Sequence, residues 1–219
     1  MNKKKKREQR YRKEIVYTNR VCVDSGLIRS SDGNISIRLD DDRFLVTPAG
    51  LYKRGLKSKQ LLVVDHQGKI IKGKGDRKPS SELLMHLEAY RQRGDIGAVL
   101  HTHPPYSTAL TIAGIPFPTN IVPEIPVLLG EVVTAPYATP GTQELALSIS
   151  DLIKDHDSIL LSNHGSLTVG KTLEAALLAL ERMELAAQMY YLAFNLGKVN
   201  PLPEAEVEHL KAIREQIRF

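Results

Sequence analysis

The sequence predicts an α/β fold in which one β-sheet is covered by helices. Three observations predict it. Apolar residues recur at helical spacing near both ends of the chain, at Tyr11, Ile15, Thr18 and Cys22 and again from Leu173 to Phe194. Between them, apolar and polar residues alternate in Asn34-Ile35-Ser36-Ile37-Arg38-Leu39, the period of a strand. Further short apolar runs, each bounded by turn residues, are interleaved with helical segments, so helices stand before, between and after the strands.

Taken in order, the first helix stops at Gly26. The alternating run at 34–39 reads as a half-buried strand, and Asp40-Asp41-Asp42 turns it into a second strand at 43–47. Residues 61–64 and 69–71 form two more strands around His66-Gln67-Gly68. After a loop at 73–79 a helix begins, with Ser80 as N-cap and Leu83, Leu84, Leu87 and Tyr90 as its buried stripe, and Gly94 ends it. Residues 98–103 are a strand stopped by Pro104-Pro105, and a short helix covers 106–113. The proline-rich stretch 114–141 has no clear period. Residues 142–154 are helical through Leu145, Ile149 and Leu152. An apolar strand at 158–161 turns at Asn163-His164-Gly165 into another at 166–169. The longest helix runs from 172 to about 196, with Leu173, Ala176, Leu177, Leu180, Ala187, Tyr191 and Phe194 on one side. A last helix runs from about 204 to the end.

With 219 residues, 42% of them hydrophobic, the chain can bury a sizeable core. No Gly/Ser-rich linker and no internal repeat divides it, so residues 1–219 are expected to form a single domain, with 1–10 as a basic N-terminal extension. The net charge of +5 is carried by that extension: without Lys3-Lys4-Lys5-Lys6-Arg7, the basic and acidic residues balance at 25 each. This is a terminal tag rather than a basic face, so no nucleic-acid or membrane partner is expected. Glu8-Gln9-Arg10-Tyr11-Arg12-Lys13-Glu14 follows the basic run where a secretory signal would be apolar. Cys22 is the only cysteine and sits in a helical stripe, which makes it a core residue and fits a reducing, cytoplasmic setting.

His101 and His103 carry the chemistry. Two apart on a strand, they point to one face, and Pro104-Pro105 places them at the strand's end. His164, at the mouth of another strand beside Gly165, is the best third ligand. Three histidines suit Zn2+ or another divalent cation such as Mn2+ or Co2+, with positions left for substrate. His66, His86, His156 and His209 read as hydrogen-bonding or surface residues. In Pro79-Ser80-Ser81-Glu82, two hydroxyls and free backbone N–H groups gather at a helix start, a geometry that binds phosphate. Ordinary capping explains only one serine and the glutamate.

Ser31-Asp32-Gly33-Asn34-Ile35-Ser36, Thr47-Pro48-Ala49-Gly50, Pro79-Ser80-Ser81-Glu82, His101-Thr102-His103 and Asn163-His164-Gly165, in this order and spacing, resemble the motifs of the class II aldolase/adducin family over about residues 10–200. The segments Ala135-Pro136-Tyr137-Ala138-Thr139 and Gly141-Thr142 are similar to that family too. The resemblance implies a three-layer α/β/α domain with a central, mainly antiparallel sheet. It also implies a cyclic homotetramer with active sites at subunit interfaces. His101, His103 and His164 match the metal ligands. Glu82 matches the catalytic acid/base, which can also touch the metal. Gly33, Asn34, Gly50, Ser80 and Ser81 match the substrate-phosphate pocket.

The implied activity is metal-dependent cleavage of a ketose 1-phosphate, of the L-fuculose 1-phosphate kind, to dihydroxyacetone phosphate and an aldehyde through a metal-stabilised enediolate. The sequence departs from the family pattern at Ala49, where threonine is expected, and at Pro140, where phenylalanine is expected. The family's active-site tyrosines have no counterpart at 120–124 or in the tail ending at Phe219. Alternatives with related chemistry are a 3-oxo-acid phosphate decarboxylase, a sugar-phosphate epimerase and a dehydratase. A metal-free, adducin-like binding domain would be expected to lack the histidines or the glutamate. A Schiff-base mechanism needs a buried, deprotonated lysine, and every lysine here lies in a polar sequence context, Lys78 and Lys171 being nearest the motifs.

Overall fold

A computed structural model describes residues 3–217. Its centre is an eight-stranded sheet: β1 (Asn34–Asp40), β2 (Arg43–Val46), β3 (Leu62–Asp65), β4 (Ile70–Lys72), β5 (Ala98–Thr102), β6 (Val132–Ala135), β7 (Ser158–Leu161) and β8 (Gly165–Gly170). The spatial order is β4-β3-β2-β1-β5-β8-β7-β6, and every neighbouring pair is antiparallel except β6 with β7. Helices α1 (Lys3–Asp24), α3 (Pro105–Ile112) and α5 (Leu173–Asn195) gather on one face around Ile15, Leu100 and Leu180. Helices α2 (Leu83–Gln92) and α4 (Gln143–Ser148) cover the other, around Met85, Val99 and Ile149. Helix α6 (Glu204–Gln216) packs on a π-helical turn, Ile125–Leu129. The expected three layers and mainly antiparallel sheet are present.

Several elements differ from their sequence reading, each for a physical reason. Strand β1 is not half-buried. Its polar alternates lie under α2, where Ser36 Oγ meets His86 Nδ1 at 2.7 Å and the Tyr90 hydroxyl at 2.9 Å. Arg38 donates to the backbone carbonyls of Tyr90 and Arg93, satisfying the C-terminal end of α2, and its guanidinium lies 4.9 Å from the Tyr90 ring centre. Ser80 does not cap α2, which starts at Leu83. Leu84 is exposed, and Met85, His86 and Ala89 join Leu83 and Tyr90 in the buried set.

The stretch 114–141 holds the π-helical turn and β6, whose parallel edge position hides it from an alternation test. The helix expected over 142–154 is two pieces, α4 and a 3-10 turn at Leu152–Lys154. Tyr191 and Phe194 are exposed, because α5 outruns the sheet. The N-terminal half of that helix is buried as expected, and Thr172 caps it by accepting from Ala175 N. Among the described residues no helix is long and apolar enough to cross a membrane. The first two residues of the basic extension and the tail end at Phe219 lie outside the described residues.

Glu88 ties α2 to the α4 region. It accepts hydrogen bonds from Arg91, Gln92 and Ser150 Oγ, and Arg91 first among these holds its carboxyl down to about 2. Replacing Glu88 by Ala should lower stability at neutral pH by about 1–2 kcal/mol. A depressed carboxylate stabilises fully only above its unfolded pKa, so the gap between native and variant should be complete above about pH 4.5 and close as pH falls toward 2. Urea unfolding at pH 7 and pH 3 measures it. An equal gap at both pH values would assign the effect to packing.

Candidate metal centre and anion pocket

Strand register builds this site. β5 lies between β1 and β8, pairing His101 with Asn34 on one side and with Leu167 on the other. His101 is fully buried, and its Nδ1 lies 2.8 Å from the Ser166 carbonyl. A carbonyl only accepts, so Nδ1 donates a proton there, and Nε2 is turned toward His103 and Glu82. His103 is one residue past the strand end. Its backbone N–H donates to the Leu27 carbonyl, and the next helix is fixed by Glu184 of α5, which accepts from Tyr106 N, Ser107 N and Ser107 Oγ. The carboxylate thus does for α3 what its N-cap, Pro104, cannot do. His164 enters from the β7–β8 turn, where Asn163 takes a positive φ of 55° and its N–H donates to Thr111 Oγ1.

These three paths converge. Nε2 of His101 and Nε2 of His103 are 3.0 Å apart, and the three ring centres lie 4.8–5.0 Å from one another. One ligand atom from each can be chosen so that all fall within 4.8 Å. Two imidazole nitrogens facing each other at 3.0 Å need something between them, a shared proton or a cation. Burial and then the neighbouring imidazoles push the His103 pKa down to about 4, so it is a neutral donor at neutral pH. Three converging nitrogens, with His103 held neutral by burial and Nδ1 of His101 engaged by a carbonyl, can hold a divalent cation.

Glu82 closes the ring. Its Oε1 is 3.0 Å from His164 Nε2 and its Oε2 is 3.3 Å from His101 Nε2. Burial works to raise its pKa, but the two imidazoles prevail and the carboxyl lies well below the usual carboxylate range. The same Oε2 accepts from Asn34 Nδ2 at 2.7 Å, and Asn34 Nδ2 also reaches Ser80 Oγ at 3.1 Å.

The expected pocket residues are gathered beside this carboxylate. Gly33 has φ +70°, and a Cβ there would meet the His101 carbonyl and Ile28 at 2.9 Å. The 47–50 turn is joined to the 78–82 turn by a bridge between Pro48 and Pro79 and by Ala49 N donating to the Lys78 carbonyl. Gly50 has φ +67° and open space around it. Ser80 is half-buried and Ser81 is exposed next to Gly141. Glu82, Asn34 and Ser80 therefore touch directly, while Gly33, Gly50 and Ser81 contribute turn backbone around them.

Two residues of this neighbourhood were not picked out by sequence. His86, fully buried one helical turn after Glu82, is held neutral by burial, with its pKa down to about 3, and lies over Ser36. Its i+4 spacing from Glu82 was the available signal. Lys53 corrects the reading that all lysines lie in polar surroundings. It is 2% exposed, and burial pushes its pKa down to about 8.

The model of the Class II Aldolase and Adducin N-terminal domain matches residues 13–191. A 5-deoxy-D-ribulose 1-phosphate aldolase of Bacillus thuringiensis serovar kurstaki is 37% identical, the match covering 92% of this chain and 94% of that one. A 5-methylthioribulose-1-phosphate/5-deoxyribulose-1-phosphate aldolase of Rhodospirillum rubrum is 34% identical over 90% and 87%. A solved L-fuculose 1-phosphate aldolase superposes with a TM-score of 0.84 at 32% identity, over 95% of this chain and 96% of that one.

Gly165 offers a test of the geometry that leaves every donor in place. A Cβ there would fall 2.4 Å from the Thr102 carbonyl and 2.8 Å from His103 Cδ2. Purified protein should bind about one divalent cation per chain, and His103→Ala should lose it. Gly165→Ala should weaken binding by about 10–100-fold, as for loss of an orienting contact. Competition against a chromophoric chelator measures this, and native affinity in both variants would show that the three histidines are not the ligands.

Proposed function

Because the chain belongs to the class II aldolase/adducin family and is a class II aldehyde-lyase, we propose that it cleaves a ketose 1-phosphate reversibly to dihydroxyacetone phosphate and a short aldehyde, with a 5-deoxypentulose 1-phosphate or L-fuculose 1-phosphate as the substrate type. One observation carries this reading: a single buried carboxylate, Glu82, contacts both the histidine cluster and the Asn34–Ser80 pocket. A phosphate in that pocket sets the first three carbons of the sugar across Glu82 toward the histidines. His101, His103 and His164 would hold Zn2+, or Mn2+ or Co2+ in its place, with Glu82 able to join them. The bound cation would supply Lewis-acid stabilisation of the negative charge that grows on the sugar oxygens as the bond breaks.

The chain's own residues do the rest. Asn34, Ser80 and Ser81, with the backbone of Gly33 and Gly50, bind and orient the phosphate end. When the C3–C4 bond breaks, its electron pair stays on the C3 side and the C4 hydroxyl loses its proton to become the aldehyde. One proton leaves the substrate and one returns at C3, so a carboxylate that holds and releases a single proton closes the balance. Glu82 is that group. His101, under Glu82, keeps its orientation through the Ser166 carbonyl.

Residues 1–219 act as one domain of a small-molecule enzyme working in the cytoplasm, where the buried Cys22 thiol stays reduced. The subunits assemble as a homotetramer. The apolar side chains Tyr191, Leu192, Phe194 and Leu196, exposed at the end of α5, are the kind of surface such an interface covers, and the active sites lie at the subunit boundary.

A coupled assay for dihydroxyacetone phosphate should show release from a ketose 1-phosphate that stops with chelator and returns with the metal. Release of carbon dioxide from a 3-oxo-acid phosphate, with no triose phosphate from any ketose phosphate tried, would move the assignment to decarboxylation. Glu82→Gln should lose about 10²–10⁴-fold in kcat, and an unchanged kcat would remove Glu82 from proton transfer. Asn34→Ala should raise KM for the phosphorylated sugar much more than it lowers kcat, since an anion contact is lost. Equal use of phosphorylated and free sugars by the native enzyme would show that the pocket is not a phosphate site.

A further inference from the structure

Lys53 lies on a 3-10 turn (Lys53–Gly55) that leaves the anion pocket, three residues after Gly50. Its backbone is held from two sides. The amide N–H donates to the Ser30 carbonyl at 2.9 Å, and its carbonyl accepts from Asn19 Nδ2 of α1 at 2.7 Å. Ser30 has φ +52° and opens the short loop that ends in Gly33 and Asn34. The turn carrying Lys53 is therefore fastened to the segment that builds one wall of the pocket.

The side chain is buried to 2% exposure, in a class of residue that almost always reaches water. Among the described residues its ammonium makes no hydrogen bond and no ion pair at contact distance, and the nitrogen is not fully enclosed, so the little exposure the residue keeps falls in part on its charged tip. It feels Asp32 and Glu82 only through space. Asp32 stands exposed in the loop before Gly33, and Glu82 is engaged by His101, His164 and Asn34. A cation so nearly buried and without a contact partner weakens a fold, because it gives up most of its hydration and gains no pair. Such a group persists where a ligand brings the missing anion.

The pocket has the opposite deficit. Gly33, Asn34, Gly50, Ser80 and Ser81 are all neutral, and Ala49 supplies no hydroxyl. A phosphate dianion placed among them would have donors and no local counter-charge apart from the histidine side. We propose that Lys53 is the cationic member of this pocket, its ammonium pairing with the phosphate of the bound sugar and so selecting phosphorylated over free ketoses. Burial pushes its pKa to about 8, so the group is still mainly protonated at neutral pH and serves as a charge. An approaching dianion holds that proton more firmly. The inference rests on the pocket binding phosphate. It does not rest on which carbon–carbon bond the enzyme breaks.

Lys53→Met removes the charge at nearly constant volume, with Lys53→Gln as a second neutral variant and Lys53→Arg as the conservative one. On metal-replete protein the probe is inorganic phosphate, followed by thermal unfolding and by titration calorimetry. The native protein should be stabilised by phosphate, and both neutral variants should bind it at least tenfold more weakly. Without phosphate the Met variant should melt at or above the native temperature. With a phosphorylated ketose the neutral variants should raise KM about 10–100-fold with a smaller change in kcat, and Lys53→Arg should recover part of the loss.

Phosphate binding unchanged in both neutral variants would overturn the role of Lys53 while leaving the pocket intact. A native protein that phosphate does not stabilise at all would overturn the pocket reading and this inference together, whether or not aldol cleavage is found. A fall in kcat alone, or borohydride trapping of substrate on Lys53, would show that the amine acts on the reacting carbons instead.

Discussion

The antiparallel register of β5 between β1 and β8 is the constraint on which the rest of the site depends. It sets His101 beside Asn34 on one flank and beside Leu167 on the other, with Thr102 paired to Ser166. Side chains in a strand alternate, so a slip by one residue would turn His101 toward the opposite layer and put Thr102 in its place. Two features oppose such a slip. Val99, Leu100 and Ala98 are fully buried and divided between the two cores, so any shift would exchange residues shaped for different layers. Gly97 and Gly165, at opposite ends of the β5–β8 pair, let backbone approach where a Cβ would stand 2.3–2.4 Å from a carbonyl. The histidines on β5 are thus positioned by packing that is itself apolar and remote from their ring nitrogens.

Around that scaffold the protein concentrates groups that weaken it. His86, His101, Glu82 and Lys53 are all buried polar or ionisable residues within one neighbourhood, and the Asn34 side-chain oxygen and His86 Nε2 have no hydrogen-bond partner among the described residues. Each such group loses hydration on folding. Apolar substitutes of similar shape would give a more stable fold and no site. The layout limits the damage: Ser36 and Tyr90 satisfy one nitrogen of His86, the Ser166 carbonyl one nitrogen of His101, and Asn34 one oxygen of Glu82. His101 and Glu82 turn their remaining polar atoms into the histidine cluster, whereas His86 Nε2 stays enclosed without a partner.

What the sequence revealed and what it hid follow from range. The His101–His103 pair was legible because strand alternation is local, and the order of five motifs made the fold and the third histidine legible as well. Local periodicity names a face but cannot say whether anything covers it. Leu180 and Phe194 share the α5 stripe, yet one is sealed against the sheet and the other projects past its edge. β1 failed in the opposite sense, since Ser36 and Arg38 look like a solvent face and are instead roofed by α2. β6 was hidden by the prolines around it and by its parallel, edge position. Lys53 was invisible for the same reason as β1. Between Tyr52 and Arg54 it reads as surface, and its burial is decided by Asn19 and Ser30, 34 and 23 residues away in sequence.

The division of labour within the site also explains where specificity can vary. The residues proposed to meet the phosphate and the cation hang from the sheet or from turns beside it: Gly33 and Asn34 at the start of β1, the 47–50 turn after β2, the 80–82 turn before α2, His101 and His103 in and just past β5, and His164 before β8. Those positions cannot drift without disturbing strand register. Segment 136–141, where Tyr137 is exposed and Gly141 packs on Ser81, borders this site outside the sheet. On the proposed reaction this anchorage would hold the triose-phosphate half in the near-fixed geometry that bond breaking demands and would leave the other half to loops. Substitutions in 136–141 would, on that reaction, change the aldehyde while leaving strand register untouched.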